Sequence, residues 1–298
     1  MLSSLLVLSC FSSVIYANET TNTTSVSGLL EIEVSYNDAA SSSDINLATL
    51  ELATEHRFNE KVDAQVLFLY EEGENDDNIA IDEATINVHP NNTTNVSAGR
   101  MYVPFGKFES MMVSDPQTLE LAETQEEAIL LAKQFGNITA TAYVFKDDED
   151  ASDKIDDGGI SLDYETDGFM TGISYISDVN NKSNANTQAS GTAIYAVGTR
   201  NQLSLIAEHI ALDTTSDGEK PKATNFEVGF DFGNDRAIAA SYQTTSNALA
   251  AGLPKNATGL AYSMPVYDNT QFAAEYMQTE NYAGENDKTV TLQVAYEF

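Results

Sequence analysis

The sequence predicts an all-β protein, a transmembrane antiparallel β-barrel of about sixteen strands, from three observations. Apolar and polar residues alternate over segments of about ten residues. The connections between these segments alternate between short and long, and aromatic residues gather near the segment ends. In the last segment, for example, Val290, Leu292 and Val294 alternate with polar residues. This alternation is typical of barrel strands with apolar side chains toward lipid and polar ones toward the interior.

Sixteen segments carry the two-residue period, an even number that places both ends of a bacterial barrel on the periplasmic side. They cover residues 24–36, 44–58, 61–71, 79–88, 95–103, 126–135, 137–146, 158–165, 168–177, 191–199, 201–212, 223–232, 234–245, 256–266, 269–280 and 287–298.

The connections predict which end of the barrel faces outward. The short ones contain Asn, Asp and Gly, which supply the positive φ of tight hairpins: 58–60, 135–137, 166–168, 199–201, 232–235 and 267–269. The longer ones hold acidic and small polar residues: 72–78, 104–125, 147–157, 178–190, 213–222, 246–255 and 281–286. Outer-membrane barrels have short periplasmic turns and longer outside loops. A soluble β-sandwich shares the alternation but not this asymmetry, and the aromatic end at Phe298 resembles an outer-membrane sorting signal.

The charge balance argues against a nucleic-acid role. The 298 residues include 14 Lys and Arg but 46 Asp and Glu, for a formal net charge of -32. Such a chain repels DNA and RNA. Its acids are dispersed, as expected for a solvated inner face and acidic loops such as 147–150, which could share divalent cations with lipopolysaccharide.

No catalytic site, metal site or cofactor is predicted. The one cysteine, Cys10, lies in the N-terminal segment, and the three histidines show no metal-ligand spacing. His56 and His89 fall at short turns, and His209 falls on the lipid face. A hydrolase would need a histidine beside its nucleophile near the outer rim, so an enzyme is not expected.

The N-terminal residues 1–17 read as a secretory signal with a cleavage site after Ala17, although no Lys or Arg precedes the apolar stretch. Residues 7–10 also resemble a lipobox. Residues 18–298 then form one barrel domain in the outer membrane, in contact with lipid and lipopolysaccharide. The porin-like layout leaves a homo-oligomer open.

The longest connection, 104–125, is the candidate constriction, and two positions for it stay open. It either folds into the pore or lies over the barrel mouth. Pro104, Gly106 and Pro116 interrupt strand pairing. Inside the pore, its apolar residues Met111, Met112, Leu119 and Leu121 would pack on the wall, and its acids Glu109, Asp115, Glu120 and Glu123 would face the opening.

Arg100 is predicted to face the lumen, because an arginine facing lipid at mid-depth costs roughly 2–4 kcal/mol. It either anchors the loop by pairing with Glu109 or Asp115, or forms the positive side of a selectivity filter. The same parity places many acids in the lumen, where they should favour cations: Glu31, Glu33, Glu51, Asp63, Glu83, Glu227, Asp231, Glu275 and Glu297.

Four stretches resemble the LbtU-like siderophore porin family, whose namesake is the legiobactin receptor. They are Val66–Glu72, Asp82–Ile86, Ala98–Gly106 and Ser114–Thr124. The resemblance lies within 44–145 and implies a barrel of about sixteen strands that takes up a ferric siderophore without an energy-coupling plug. The acidic lining disagrees with such substrates, which are often anionic or zwitterionic.

Three functions are therefore considered. The first is uptake of a small solute, with a ferric siderophore as the class implied by the resemblance. The second is a general cation-preferring porin. The third is a surface interaction barrel with a blocked lumen. A sixteen-strand barrel leaves an aqueous channel, which favours the first two.

Overall fold

The computed structural model describes residues 22–73, 78–146, 154–179 and 189–298. The predicted signal segment 1–17 and the acidic stretch 147–150 lie outside the described residues, so the structure does not bear on them.

Sixteen antiparallel strands form one closed barrel in which each strand pairs with its neighbours in sequence. The predicted fold class is thereby confirmed. The strands are β1 Thr23–Asn37, β2 Ser42–Asn59, β3 Val62–Glu71, β4 Ala80–Asn91, β5 Thr94–Tyr102, β6 Gln125–Phe135, β7 Ile138–Phe145, β8 Asp157–Thr166, β9 Phe169–Ile176, β10 Gly191–Arg200, β11 Leu203–Leu212, β12 Lys222–Gly233, β13 Arg236–Ser246, β14 Asn256–Tyr267, β15 Thr270–Glu280 and β16 Asn286–Glu297.

The barrel closes between β1 and β16, which pair from Leu29–Glu297 to Asn37–Thr289. Phe298 extends this pairing, because its carbonyl accepts from the Gly28 N–H at 2.9 Å and its own N–H donates to the Gly28 carbonyl at 3.1 Å. A Cβ on Gly28 would lie 2.4 Å from the Phe298 ring. Glycine at position 28 therefore lets the last aromatic side chain lie against the first strand.

One end of the barrel carries only tight turns. Asn234 and Asp235, between β12 and β13, both have φ of 55°, as a type I′ hairpin requires. Asn201 and Asn269 have positive φ at the equivalent positions of β10–β11 and β14–β15. The longer connections lie at the opposite end, so the tight-turn end is the periplasmic one.

Strand parity sorts the side chains onto two faces. In β1, Ile32, Val34 and Tyr36 are 41–47% exposed on the outer face, while Glu31 and Glu33 point inward. Directly paired residues of antiparallel strands share a face, so this sorting passes from strand to strand around the barrel. The exposed apolar belt and inward acids are the arrangement that the sequence predicts. No helix within the described ranges has the length and apolarity needed to cross a membrane.

The expectation that His89 lies in a short turn is wrong. β4 extends through His89 to Asn91. The His89 Nε2 atom lies 2.6 Å from Oδ2 of Asp63 on β3, and the His89 N–H donates to the Lys61 carbonyl at 2.8 Å. The turn itself falls at 92–93.

Candidate pore constriction

The connection between β5 and β6, residues 103–124, lies inside the barrel, and we call it the constriction loop. Its one helical turn, α1, spans Gln117–Ala122 and contacts β11, β12 and β13. Of the two positions that the sequence leaves open, the loop occupies the one in the pore.

Glu208 on β11 binds the first part of the constriction loop. The backbone N–H of Lys107 donates to Oε1 of Glu208 at 2.6 Å, and the N–H of Phe108 donates to Oε2 at 3.2 Å. The hydroxyl of Thr118, eleven residues further on, donates to the same carboxylate at 2.8 Å. One inward carboxylate thus ties together the loop's first residues and α1.

Two further wall carboxylates bind the middle of the loop. Glu227 on β12 accepts from the Met111 N–H at 2.6 Å and the Ser110 hydroxyl at 2.9 Å. Glu275 on β15 accepts from the Val113 N–H at 2.7 Å. Together with Glu208, these residues form the anchoring carboxylates. Loop amides that leave water are thereby hydrogen-bonded, as buried backbone groups must be.

Apolar side chains of the loop fill the space behind these bonds. Phe105 is 1% exposed and Leu121 is fully buried; both pack against wall residues of the extracellular half. Met112 is 3% exposed and packs in a second cluster. The wall residues of these clusters are Met101, Ala128, Leu130, Tyr143, Phe145, Ile176, Ala193, Ile210, Leu212 and Ala223 in the first, and Ala239, Ala257, Ala261 and Met277 in the second.

The loop leaves the wall formed by β1 to β4 uncovered. Inward carboxylates line this side, and we call them the open-wall carboxylates: Glu31, Glu33, Glu51, Glu71 and Glu83. The loop contributes Asp115, Glu120 and Glu123 to the same opening, while its one basic residue, Lys107, lies 3.5 Å from Glu109. The narrow part of the pore therefore lies between two acidic surfaces.

Burial and the neighbouring carboxylates raise the pKa values of two acids on the loop. Burial among the wall and loop atoms, and then the charges of Glu120 and Glu71, raise the pKa of Asp115 to about 7, although its side chain stays accessible to lumen water. Burial, and then the charges of Asp115 and Asp82, raise the pKa of Glu123 to about 8. The loop therefore gains negative charge as the pH rises through neutrality.

The prediction that Arg100 lies in the lumen is wrong. Arg100 pairs directly with Glu127 of β6, on the face where Ile129 is 54% exposed, so both charged residues are on the outer face. Its guanidinium donates to Gln125 at 2.8 Å and lies 3.8 Å from Glu127 rather than pairing with a loop acid. Arg100 is two residues from the extracellular end of β5, and near that interface a lipid-facing arginine costs only about 0–1 kcal/mol.

The other predicted pore residues separate into two levels. Glu31, Glu51, Glu83, Asp115 and Glu120 lie around the constriction. Asp63 does not, because it sits eight residues before Glu71 on β3, about 26 Å along the strand. It accepts from Asn87 at 2.8 Å and contacts His89 near the periplasmic end. Glu109 lies on the side of the loop away from the open-wall carboxylates, next to Lys107.

Glu208 is the important residue that the sequence interpretation missed. The signal was present, because His209 was placed on the lipid face and its neighbour must then point inward. Glu208 is only 4% exposed. In the described ranges, no group of three or more His, Cys, Asp or Glu side chains is arranged to hold a metal ion.

Comparison with known proteins supports the same architecture. The family model described as Gram-negative porin matches residues 4–298. A UPF0422 protein of Coxiella burnetii is 28% identical over 220 residues, covering 62% of this chain and 47% of that protein. The chain thus spans about half the length of this curated relative.

Two solved porins share the fold at low sequence identity. OmpF of Salmonella typhi, solved with daunomycin, has a TM-score of 0.71 and 13% identity, covering 93% of this chain and 98% of that one. An anion-selective porin of Comamonas acidovorans has a TM-score of 0.68 and 14% identity, covering 93% and 100%. At these identities the likeness concerns the fold and not ion preference, which is a property of specific residues rather than of a fold.

Proposed function

Because the chain belongs to the Gram-negative porin family, we propose that it forms an outer-membrane diffusion channel whose constriction prefers cations. The observation that carries this proposal is the pair of acidic surfaces, one on the loop and one on β1 to β4, with the loop's Lys107 turned to Glu109. Fixed carboxylates around a narrow aqueous path raise the local cation concentration and repel anions.

The test is the reversal potential of the refolded protein in a planar bilayer with different KCl concentrations on the two sides. A cation-selective channel gives a potential of the sign set by K⁺ diffusion, and raising the salt reduces selectivity through screening. Anion selectivity would contradict the proposal. A folded barrel that passes no current would contradict any channel function and favour an interaction barrel with a blocked lumen.

A ferric siderophore is the second candidate substrate, and one observation favours it. Two of the segments that resemble the siderophore porin family, Ala98–Gly106 and Ser114–Thr124, form the end of β5 and most of the constriction loop. The resemblance therefore falls on the segment that narrows the pore, where Asp115 and Glu120 are the exposed side chains of Ser114–Thr124. The acidic lining favours ferric complexes that are neutral or positively charged over anionic ones.

Siderophore specificity is tested by adding ferric siderophores of cationic, neutral and anionic charge to the conducting channel. A specific channel shows current interruptions with one complex and none with its iron-free form. A current that is indifferent to every complex leaves a general cation-preferring porin as the function.

A further inference from the structure

An apolar recess of about 160 Å³ opens from the inner wall, on the periplasmic side of the constriction loop. Loop residues 109–111 form its roof, and inward residues of β10 to β15 form its floor. Its lower edge includes Thr199, Asp231 and Ser263, each a few residues from a tight periplasmic turn. The recess is therefore reached from the periplasmic vestibule.

The composition of the recess is unusual for a wall that faces water. The wall residues that line it and face inward include Val197 and Ile206, together with glycine and small alanines on the later strands: Gly229, Ala237, Ala239, Ala261 and Ala273. Met111 adds an apolar side chain from the roof. Inward positions of a water-filled barrel are normally polar. An apolar concavity at such a place gains free energy when an apolar group displaces its water.

A carboxylate stands at the edge of this apolar floor. Asp231 points inward from the end of β12 and is partly exposed; its Oδ1 accepts from the Gly233 N–H at 2.6 Å. Among the described residues, no Lys or Arg lies within ion-pair distance of it. Glu109, at the roof, is already paired with Lys107. Asp231 is thus the acidic group available to a cation beside the recess.

We propose that this recess binds the apolar part of an organic cation, with Asp231 as the counter-ion of its ammonium group. A cavity of roughly 150 Å³ holds one benzene ring, so the expected class is an amine or quaternary ammonium that carries a single ring. The proposal deepens the cation-preferring channel proposed for this chain and rests on it, because the channel delivers the ligand to the recess.

The test compares three probes on the barrel in lipid nanodiscs by isothermal titration. Benzyltrimethylammonium carries ring and charge, tetramethylammonium carries charge alone, and benzyl alcohol carries the ring alone. The first probe should bind roughly tenfold more tightly than either of the others, because only it uses both the apolar floor and Asp231. Equal binding of tetramethylammonium would overturn the apolar contribution, and equal binding of benzyl alcohol would overturn the ionic one.

Two variants test whether the ammonium group binds at Asp231 and the ring binds in the recess. Asp231→Asn should weaken benzyltrimethylammonium binding about fivefold and leave benzyl alcohol unchanged. The matched control is Glu165→Gln, which removes an inward carboxylate at the same height on β8, outside the recess. Equal weakening in both variants would overturn the role of Asp231. Ala237→Leu, which fills the recess from a partly exposed position, should weaken both ring-bearing probes and not tetramethylammonium.

Failure of this proposal differs from failure of the channel proposal. A cation-selective current without preference for the ring-bearing cation overturns the recess alone. Preferential binding of that cation by a folded barrel without current overturns the channel alone.

Discussion

The two halves of the inner wall carry the same kind of residue in two different states. On β11, β12 and β15 the anchoring carboxylates Glu208, Glu227 and Glu275 are buried and accept hydrogen bonds from the loop. On β1 to β4 the open-wall carboxylates face the water of the constriction. The number of inward acids therefore overstates the negative charge that a passing ion meets. The anchoring carboxylates are buried and hydrogen-bonded to the loop, so they do not face the ion.

Loss of the anchoring carboxylates should have the largest effect. Glu208→Ala together with Glu227→Ala removes the acceptors of Lys107, Phe108 and Met111, and each bond to a charged acceptor is worth roughly 1.5–3 kcal/mol. The freed loop should widen the pore, raise single-channel conductance and expose the Lys107–Phe108 bond to trypsin. The measurements are conductance and limited proteolysis.

The matched control for this double variant removes two open-wall carboxylates, Glu51→Gln with Glu83→Gln. This variant should keep the loop in place and the Lys107–Phe108 bond resistant to trypsin. Equal cleavage in both pairs would mean that the loop is not held by Glu208 and Glu227.

Ion selectivity, in contrast, should depend more on the open-wall carboxylates than on the anchoring carboxylates. Each open-wall charge at about 8 Å from a passing ion in water changes its local concentration about twofold. Glu51→Gln with Glu83→Gln should therefore lower the K⁺/Cl⁻ permeability ratio, measured from the reversal potential. Asp163→Asn, on the inner face of β8, is the control and should change the ratio less. A larger change in that control would mean that the open-wall carboxylates do not set the K⁺/Cl⁻ permeability ratio.

The pH dependence gives a smaller effect of known sign. The pKa of Asp115 is raised to about 7 and that of Glu123 to about 8, so both groups are largely neutral at pH 6 and ionised at pH 9. The K⁺/Cl⁻ permeability ratio should increase over that interval. Asp115→Asn with Glu123→Gln should flatten the increase, and an unchanged pH profile in this variant would show that other groups carry it.

The smallest effect is expected at Arg100. Its ion pair with Glu127 is partly exposed on the outer face, where such pairs contribute roughly 0–1 kcal/mol. Arg100→Gln should leave conductance and the permeability ratio unchanged, with only a slight loss of thermal stability. A clear change in the K⁺/Cl⁻ permeability ratio would show that Arg100 faces the pore after all.

The sequence predicted all sixteen strands because strands with a two-residue period and tight turns can cross a membrane only as a closed barrel, in which every backbone polar group is paired. Strand bounds shifted by only a few residues, as at β2, predicted over 44–58 and found over Ser42–Asn59. Inward parity was also correct for Glu227 and Glu275.

What the sequence did not reveal is which inward acids meet the loop. Glu275 and Val113 are separated by 162 residues, and no local pattern records such a contact. The error at Arg100 has another cause. Parity alone places it with Ala98 on the outer face, but the assumed mid-depth position made that side too costly. The predicted segment 95–103 already put Arg100 three residues from the strand end, close to the two residues found, so the error lay in the cost assigned to that height.

The anchors of the constriction loop also connect it to strands that lie much later in the chain. Residues 103–124 precede every strand that supplies an anchoring carboxylate, and Glu275 belongs to β15, the last strand but one. An intermediate that lacks β15 and β16 carries the loop without its third attachment, however complete the earlier strands are. The third attachment of the loop therefore requires β15 to be in place, the strand that pairs with β16, which in turn closes the barrel on β1.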